Sequence, residues 1–358
     1  MKYASVLFVA GIASVVALVS LSLTGRFLRF AQKRGLMDVP NARSSHETPR
    51  PRGGGVAIVI TVVVALTIAG LLLFIPWRIV AGLITSGVIA AAVGYADDHR
   101  DVSPTARLGG HLAAAALAIA FIGTGPVSHE LHLSPAFEFF APIVTAFCLV
   151  WMLNLTNFMD GIDGLASVET ITVCVGGMLC VMVYQYQFNS GSLIAPLEPR
   201  PGFRAAFYAP LLLASATAGF LFWNWPPAKI FMGDAGSGFL GLTLGTLSIV
   251  AAMAAPQLLW SWLILLAVFI VDATVTLVRR MARREKFYLA HRTHAYQHAA
   301  VRWGHQRVTL AVGAVNVFWL IPLALAVATT RLNAFSAIAI AYVPLVIGAL
   351  YLKAGQPE

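Results

Sequence analysis

Runs of about twenty apolar residues recur along the whole chain, and that recurrence leaves it few folds. Each run is long enough to cross roughly 30 Å of hydrocarbon as a helix. Eleven are read: Tyr3–Leu23, Val56–Ile75, Ile79–Tyr95, Leu108–Gly123, Phe137–Leu155, Leu165–Gln185, Ala206–Trp223, Phe239–Met253, Leu258–Val278, Val308–Val327 and Ala334–Leu352. Apolar residues are 59% of the chain and charged residues 11%, a balance that excludes a soluble domain. The gaps are too short for a separate soluble unit. The expectation is one all-α, polytopic membrane domain spanning residues 1–358, a bundle of about eleven transmembrane helices. The first run exceeds the length of a signal-peptide core and no small-x-small site follows it, so it reads as a retained helix.

Orientation follows from the basic residues. With eleven spans, nineteen of the 24 Lys and Arg fall in one set of loops and five in the other. The positive-inside rule makes the first set cytoplasmic, with the N-terminus outside and the C-terminus in the cytosol. The net charge of +9 is mostly this signal. It does not call for nucleic acid, although such a face attracts anionic head groups and membrane lipids. The three cysteines, Cys148, Cys174 and Cys180, all lie within runs and read as packing residues.

Five aspartates stand at the ends of apolar runs, all on the predicted cytosolic face: Asp97, Asp98, Asp160, Asp163 and Asp234. Carboxylates beside hydrocarbon are costly and are functional candidates by default. Asp97 and Asp98 end the third helix, where the dipole disfavours negative charge. Arg100 and Arg107 could neutralise them; so could a metal, and carboxylate ligation suits Mg²⁺ or Mn²⁺ better than zinc. Asn157, Asp160 and Asp163 are spaced to share one face if helical, the alternative being a cap with an acidic first turn.

Three helix starts on that face are glycine- or carboxylate-rich: Gly53–Gly55, Asn157–Gly164 and Phe231–Gly238. Glycines there either let backbone N–H groups approach a phosphate or let helices pack closely. The last large cytosolic loop carries arginines, then His291-Arg292-Thr293-His294-Ala295-Tyr296-Gln297. Phosphate or sugar contact fits it better than zinc, since no cysteine is near. The remaining histidines, His305 among them, have no spacing that points to a role.

In order along the chain, Asp38-Val39-Pro40-Asn41, Gly53–Gly55, Asp97-Asp98, Asn157…Asp160-Gly161-Ile162-Asp163-Gly164, Phe231-Met232-Gly233-Asp234 and the His291–His294 loop resemble the motifs of the polyprenyl-phosphate N-acetylhexosamine-1-phosphate transferases. The resemblance covers nearly the whole chain. It implies transfer of a sugar-1-phosphate from a UDP-N-acetylhexosamine to undecaprenyl phosphate at the inner face of the bacterial cytoplasmic membrane, with release of UMP. It implies Mg²⁺ (or Mn²⁺) on Asp234 with Asp97 and Asp98, and His291 and His294 in the catalytic set. Asn157, Asp160, Asp163, Phe231, Gly233, Arg292 and Arg52 would bind substrate, Phe231 against the uracil. A homodimer is compatible with it. The His-Arg-Thr-His loop departs from the three-histidine run of the pentapeptide translocases and is similar to the branch that starts O-antigen on N-acetylfucosamine or N-acetylquinovosamine. The rival readings are a transporter, which would hold carboxylates nearer the midplane, an intramembrane aspartyl protease, which would leave Asp160 and Asp163 without a role, and a lipid-binding scaffold.

Overall fold

The computed structural model describes residues 2–39, 48–100, 102–130, 134, 138–190, 201–285 and 291–357. Pro40 and Asn41 of the first motif lie outside the described residues. Among the described residues fifteen α-helices run in the order α1 (Lys2–Arg34), α2 (Gly55–Leu71), α3 (Trp77–His99), α4 (Pro104–Ile122), α5 (Gly125–Glu130), α6 (Phe140–Met159), α7 (Leu165–Gln185), α8 (Pro201–Asn224), α9 (Asp234–Ala254), α10 (Leu258–Leu265), α11 (Ala267–Ala282), α12 (Ala295–Trp303), α13 (His305–Val315), α14 (Ile321–Ala328) and α15 (Ala334–Tyr351). The architecture is an all-α polytopic membrane bundle.

Nine spans among the described residues are long and apolar enough to cross a membrane, α13 and α14 together making one of them. The expected ninth span, Leu258–Val278, is not straight: α10 and α11 meet at Leu266 with a 65° bend. The expected second span is the 17-residue α2, at the short end of what crosses a bilayer. The expected eighth span begins five residues earlier than its apolar run, because Gly233 (φ 78°) turns the chain directly into α9 at Asp234.

Helix α9 is the axis of the bundle, with 89% of its apolar window buried. Helices α3, α6 and α8 pack around it. Its small residues make that possible, as in membrane bundles generally. A Cβ on Gly241 would lie 2.5 Å from the Met152 carbonyl of α6. A Cβ on Gly94 of α3 would lie 2.3 Å from the Asp234 carbonyl, so α3 closes on the first turn of α9 only because residue 94 is glycine. Helix α1 is largely open to lipid and is held by polar bonds to α8: Ser20 Oγ donates to the Ala216 carbonyl at 2.6 Å, and Trp223 Nε1 donates to the Leu21 carbonyl at 2.9 Å.

One extended element was not foreseen. Met37–Asp38 (β1) pairs antiparallel with Arg50–Pro51 (β2), Met37 opposite Pro51. The chain then continues beside Phe231 and Met232. Phe231 N–H donates to the Pro51 carbonyl (2.8 Å), Gly54 N–H to the Phe231 carbonyl (2.9 Å) and Gly55 N–H to the Met232 carbonyl (2.9 Å). This backbone zipper carries Arg52 to the mouth of α9.

Candidate active site

The site is assembled from helix ends. Asp97 and Asp98 sit in the last turn of α3, Asn157 in the last turn of α6, Asp160 just beyond it, and Asp234 at the first position of α9. Asp98 caps α9 from a neighbouring helix: Oδ1 accepts the Asp234 N–H at 3.1 Å and Oδ2 accepts the Ala235 N–H at 3.3 Å. Free N–H groups at a helix start favour an anionic acceptor. Arg52 bridges the two carboxylates, its Nη2 lying 2.5 Å from Asp98 and 3.0 Å from Asp234. Arg107 pairs with Asp97 at 2.6 Å. The arginine neutralisation considered for the Asp97-Asp98 pair is therefore present, with Arg107 on Asp97 and Arg52, rather than Arg100, on Asp98.

Asn157 is hydrogen-bonded to the Asp234 side chain. Asp160 is half-buried beside this cluster, and burial together with the Asp234 and Asp98 carboxylates pushes its carboxyl well above the usual range. A small cavity of about 30 Å³ opens between Asp97, Arg107, His111, Asn157, Phe158 and Asp234.

The shared helical face expected for Asn157, Asp160 and Asp163 does not form. Helix α6 stops at Met159, and Gly164 adopts φ 75° before α7 begins. Asp163 consequently lies outside the helix and has partners of its own. Its Oδ2 accepts the Ala228 N–H at 3.0 Å and its Oδ1 lies 3.4 Å from His305 Nδ1. Burial pushes the Asp163 carboxyl up, but the bonds from His305 and Ala228 outweigh it and hold the group below its usual range. Asn224 supports the same loop, accepting the Gly164 N–H at 3.1 Å and donating to the Ile230 carbonyl at 3.0 Å.

Gly54 and Gly55 do not offer their N–H groups to a phosphate, since the Phe231 and Met232 carbonyls take them. A Cβ on Gly55 would lie 2.4 Å from the Gly236 Cα, so close packing accounts for this glycine. Gly233 is confined likewise, since its Cβ would meet Asp98 Oδ2 at 2.8 Å. Phe231 contributes through its backbone to the zipper that holds Arg52.

The histidine loop reaches the cluster through Phe158, whose ring centroid lies 6.4 Å from His291 and 6.2 Å from His294. Burial, with His294 and Arg280 near, pushes the His291 imidazole down to about 3, so it acts as a neutral ring. His294 is the cap residue of α12, and its Nδ1 lies 3.2 Å from Asp272. Asp272 also accepts the Ala295 N–H at 3.0 Å and the Tyr296 N–H at 2.9 Å, repeating on α12 the cross-helix capping that Asp98 provides for α9. Arg292 is half-buried between the two histidines in sequence and acts electrostatically on the Tyr296 phenol. Tyr296 Oη donates to the Phe158 carbonyl at 2.8 Å and joins the loop to the end of α6.

Asp272, Tyr296, Asn224 and His305 escape a reading by motif. Asp272 had a signal, a carboxylate in the middle of the run Leu258–Val278. His305 had none, since its partner Asp163 is distant in sequence.

Among the described residues no three His, Cys, Asp or Glu side chains stand together at metal-ligand spacing. The chemistry of the donors nevertheless fits a hard dication. Asp97, Asp234 and Asn157 present oxygen at the cavity, and the carboxyl groups of Asp97, Asp98, Asp160 and Asp234 outnumber the guanidinium groups of Arg52 and Arg107 that pair with them. Asp98 fits least, because both its oxygens are engaged by backbone N–H groups and one also by Arg52.

Known proteins resemble this chain along most of its length. The model of glycosyl transferase family 4 matches residues 80–252, from α3 to the end of α9. The chain is 30% identical over 336 residues to a probable undecaprenyl-phosphate N-acetylglucosaminyl 1-phosphate transferase of Bacillus subtilis, covering 90% of this chain and 87% of that protein. It is 30% identical over 321 residues to a phospho-N-acetylmuramoyl-pentapeptide-transferase of Kocuria rhizophila, covering 78% and 81%. It is 27% identical over 332 residues to a decaprenyl-phosphate N-acetylglucosaminephosphotransferase of Mycobacterium tuberculosis, covering 83% and 77%. With this similarity running across nearly its whole length, the chain belongs to glycosyl transferase family 4, as an integral membrane enzyme.

Proposed function

We propose that the protein, acting as one membrane domain, transfers an N-acetylhexosamine-1-phosphate from a UDP-sugar to undecaprenyl phosphate and releases UMP. The reaction starts a lipid-linked surface glycan such as O-antigen, with N-acetylglucosamine, N-acetylfucosamine or N-acetylquinovosamine as the sugar. The enzyme sits in the bacterial inner membrane, N-terminus outside and C-terminus in the cytosol, with the carboxylate cluster facing the cytosol. The observation that carries this reading is the convergence of Asp97, Asp98, Asp234, Asn157 and Asp160 at the ends of membrane helices, around the guanidinium groups of Arg52 and Arg107. Together with the relatives' acceptors, undecaprenyl phosphate for one and decaprenyl phosphate for another, it supports a transferase over a transporter or an aspartyl protease.

One pyrophosphate bond is broken and another made, so the exchange is close to thermoneutral. Such a transfer needs positioning and neutralisation of spreading charge above all. Mg²⁺, held by Asp234 and Asp97, would supply charge neutralisation at the phosphates when bound. Arg52 and Arg107 bring fixed positive charge to the same place. Asp98 holds the start of α9 and the guanidinium of Arg52. Asn157 orients the Asp234 carboxylate, and the neutral His291 with Arg292 and His294 faces the donor. A phosphate monoester has a second pKa of about 6 and is mostly dianionic at cytosolic pH. The lipid phosphate therefore attacks directly, without a general base and without a protein nucleophile at Asp97.

The test is incorporation of label from a panel of UDP-N-acetylhexosamines into extractable lipid by the purified protein, with and without EDTA. Label entering lipid with stoichiometric UMP, lost in EDTA and restored by Mg²⁺, is the expected result. No incorporation from any donor in the panel would contradict the reading.

A further inference from the structure

Glu169 is fully buried on α7, within a membrane span, and the transfer reading gives it no task. Its carboxyl is met by two uncharged groups. Asn316 Nδ2 donates to Oε2 at 2.7 Å, and the backbone N–H of Phe269 faces the carboxyl from the first turn of α11, just past the bend at Leu266. The same Nδ2 lies 2.7 Å from Thr172 Oγ1. Two buried oxygens remain without a partner, Glu169 Oε1 and Asn316 Oδ1, and they belong to the two side chains of one hydrogen bond.

A bare carboxylate in this position would be an unpaired charge in hydrocarbon, which is the costliest state a side chain can adopt there. A single proton resolves both orphan oxygens. Placed on Oε1, it donates to Asn316 Oδ1 and closes a ring with the Nδ2–H···Oε2 bond already present. We propose that Glu169 is a buried proton-binding site, a neutral carboxylic acid locked to Asn316 by two reciprocal hydrogen bonds, and that this pair is a positioning element for the active site.

The positioning follows from what the pair joins. Helix α7 begins at the Asp160–Gly164 loop. Thr309 of α13 donates to the Asp163 carbonyl at 2.9 Å, so α13 and the π-turn after it (Asn316–Leu320) grip both the loop that leads into α7, at Asp163, and α7 itself, at Glu169. Such π-turns recur at functional positions in helices. Phe269 lies on the helix that carries Asp272, the cap of the histidine-loop helix. Glu169 thus stands where the support of the Asp160 loop meets that of the His294 loop. Neutrality suits this task, because an acid–amide ring fixes direction without leaving a charge in the bilayer.

The experiment is infrared difference spectroscopy on the purified full-length protein in lipid nanodiscs at neutral pH, wild type against Glu169→Gln. The expected difference is loss of a carbonyl stretch of a protonated carboxylic acid. Asn316→Leu in the wild-type background should shift that band, which keeps the test open if the Gln variant is not recovered. Loss of a carboxylate band instead, as a bound monovalent cation would require, overturns the proposal, and so does an acid band indifferent to Asn316→Leu. A second arm reads transferase rate at saturating substrates and rests on the transfer reading above; the infrared arm does not, so the two failures are distinguishable. Glu169→Gln, neutral and able to donate, should keep near-wild-type rate. Glu169→Leu should lose roughly 10²-fold, as ångström-scale misplacement of reacting groups does. Equal loss in Gln and Leu would overturn the positioning role.

Discussion

The Asp98 carboxylate accepts the backbone N–H of Asp234 at 3.1 Å, while the side chains of both residues share one guanidinium, that of Arg52. Two neighbouring carboxylates therefore have different work. Asp98 faces inward and holds the helix start; Asp234 keeps 26% of its side chain exposed and faces the cavity. Asp98→Asn sets an NH₂ group against a backbone donor or against Arg52, and should cost about 1–3 kcal/mol of stability as well as activity. Asp234→Asn removes charge from a crowded acidic cluster and should leave the melting temperature unchanged or raised. Thermal unfolding of the two variants in the same detergent checks this. Equal destabilisation would remove the distinction.

Gly94→Ala tests the approach of α3 to α9. The added Cβ meets the Asp234 carbonyl at 2.3 Å, a backbone atom with no rotamer to escape into. Overpacking of this kind costs about 1–3 kcal/mol, and activity should fall further because Asp98 is displaced from the α9 amides. Gly109→Ala is the control, since a Cβ there meets nothing within 4 Å. Matching activity in the two variants would mean that the closeness of the helices does not matter to the site.

Much of this is legible in the sequence, and the reasons are physical. Asp97, Asp98 and Asp234 announce themselves because a carboxylate at the end of an apolar run is expensive. The all-α bundle follows from run length alone. Asp272 belongs to no motif, because it sits inside a run and its partners, His294 and the α12 amides, lie beyond the following loop. The bend at Leu266 is invisible in an unbroken apolar stretch. The spacing of Asn157, Asp160 and Asp163 pointed to one helix face, but glycines at 161 and 164 end the helix, and Gly161 presses so closely on Tyr296 that no Cβ fits. The β1–β2 ribbon has two residues per strand, too few for any periodic signal.

Asp272→Asn should act on the donor rather than the lipid. It takes a charged cap from the α12 amides and from His294, and a lost cap costs about 1 kcal/mol. The loop carrying His291, Arg292 and His294 then loosens, and the apparent KM for the UDP-sugar should rise by roughly tenfold, the equivalent of about 1.4 kcal/mol. His294→Ala should move the same parameter. Initial rates with each substrate varied in turn provide the check; an effect confined to undecaprenyl phosphate would put the loop on the other substrate.

His291 gives the protein an acid-side weakness. Its folded pKa of about 3 lies below the ordinary value near 6.5, so below pH 6.5 the unfolded chain takes up a proton that the folded protein refuses. Stability from this group is complete above pH 6.5 and is lost progressively as pH falls from there towards 3. His291→Asn, which has no proton to gain, should flatten the fall in melting temperature between about pH 6.5 and pH 5. An unchanged slope in the variant would show that His291 titrates normally in the folded protein.

The central claim is that phosphoryl transfer takes place at the carboxylate cluster with both substrates present together. The most direct measurement is UMP release by purified wild type and Asp234→Asn, with undecaprenyl phosphate and the UDP-sugar that labels lipid, at saturating Mg²⁺. Wild type should release UMP only when the lipid is present, and Asp234→Asn should be slower by roughly 10²-fold or more, the scale of a lost electrostatic stabiliser. A folded Asp234→Asn variant with near-normal rate would contradict the assignment of the site. Stoichiometric UMP release without lipid, with sugar-phosphate retained on the protein, would contradict direct transfer.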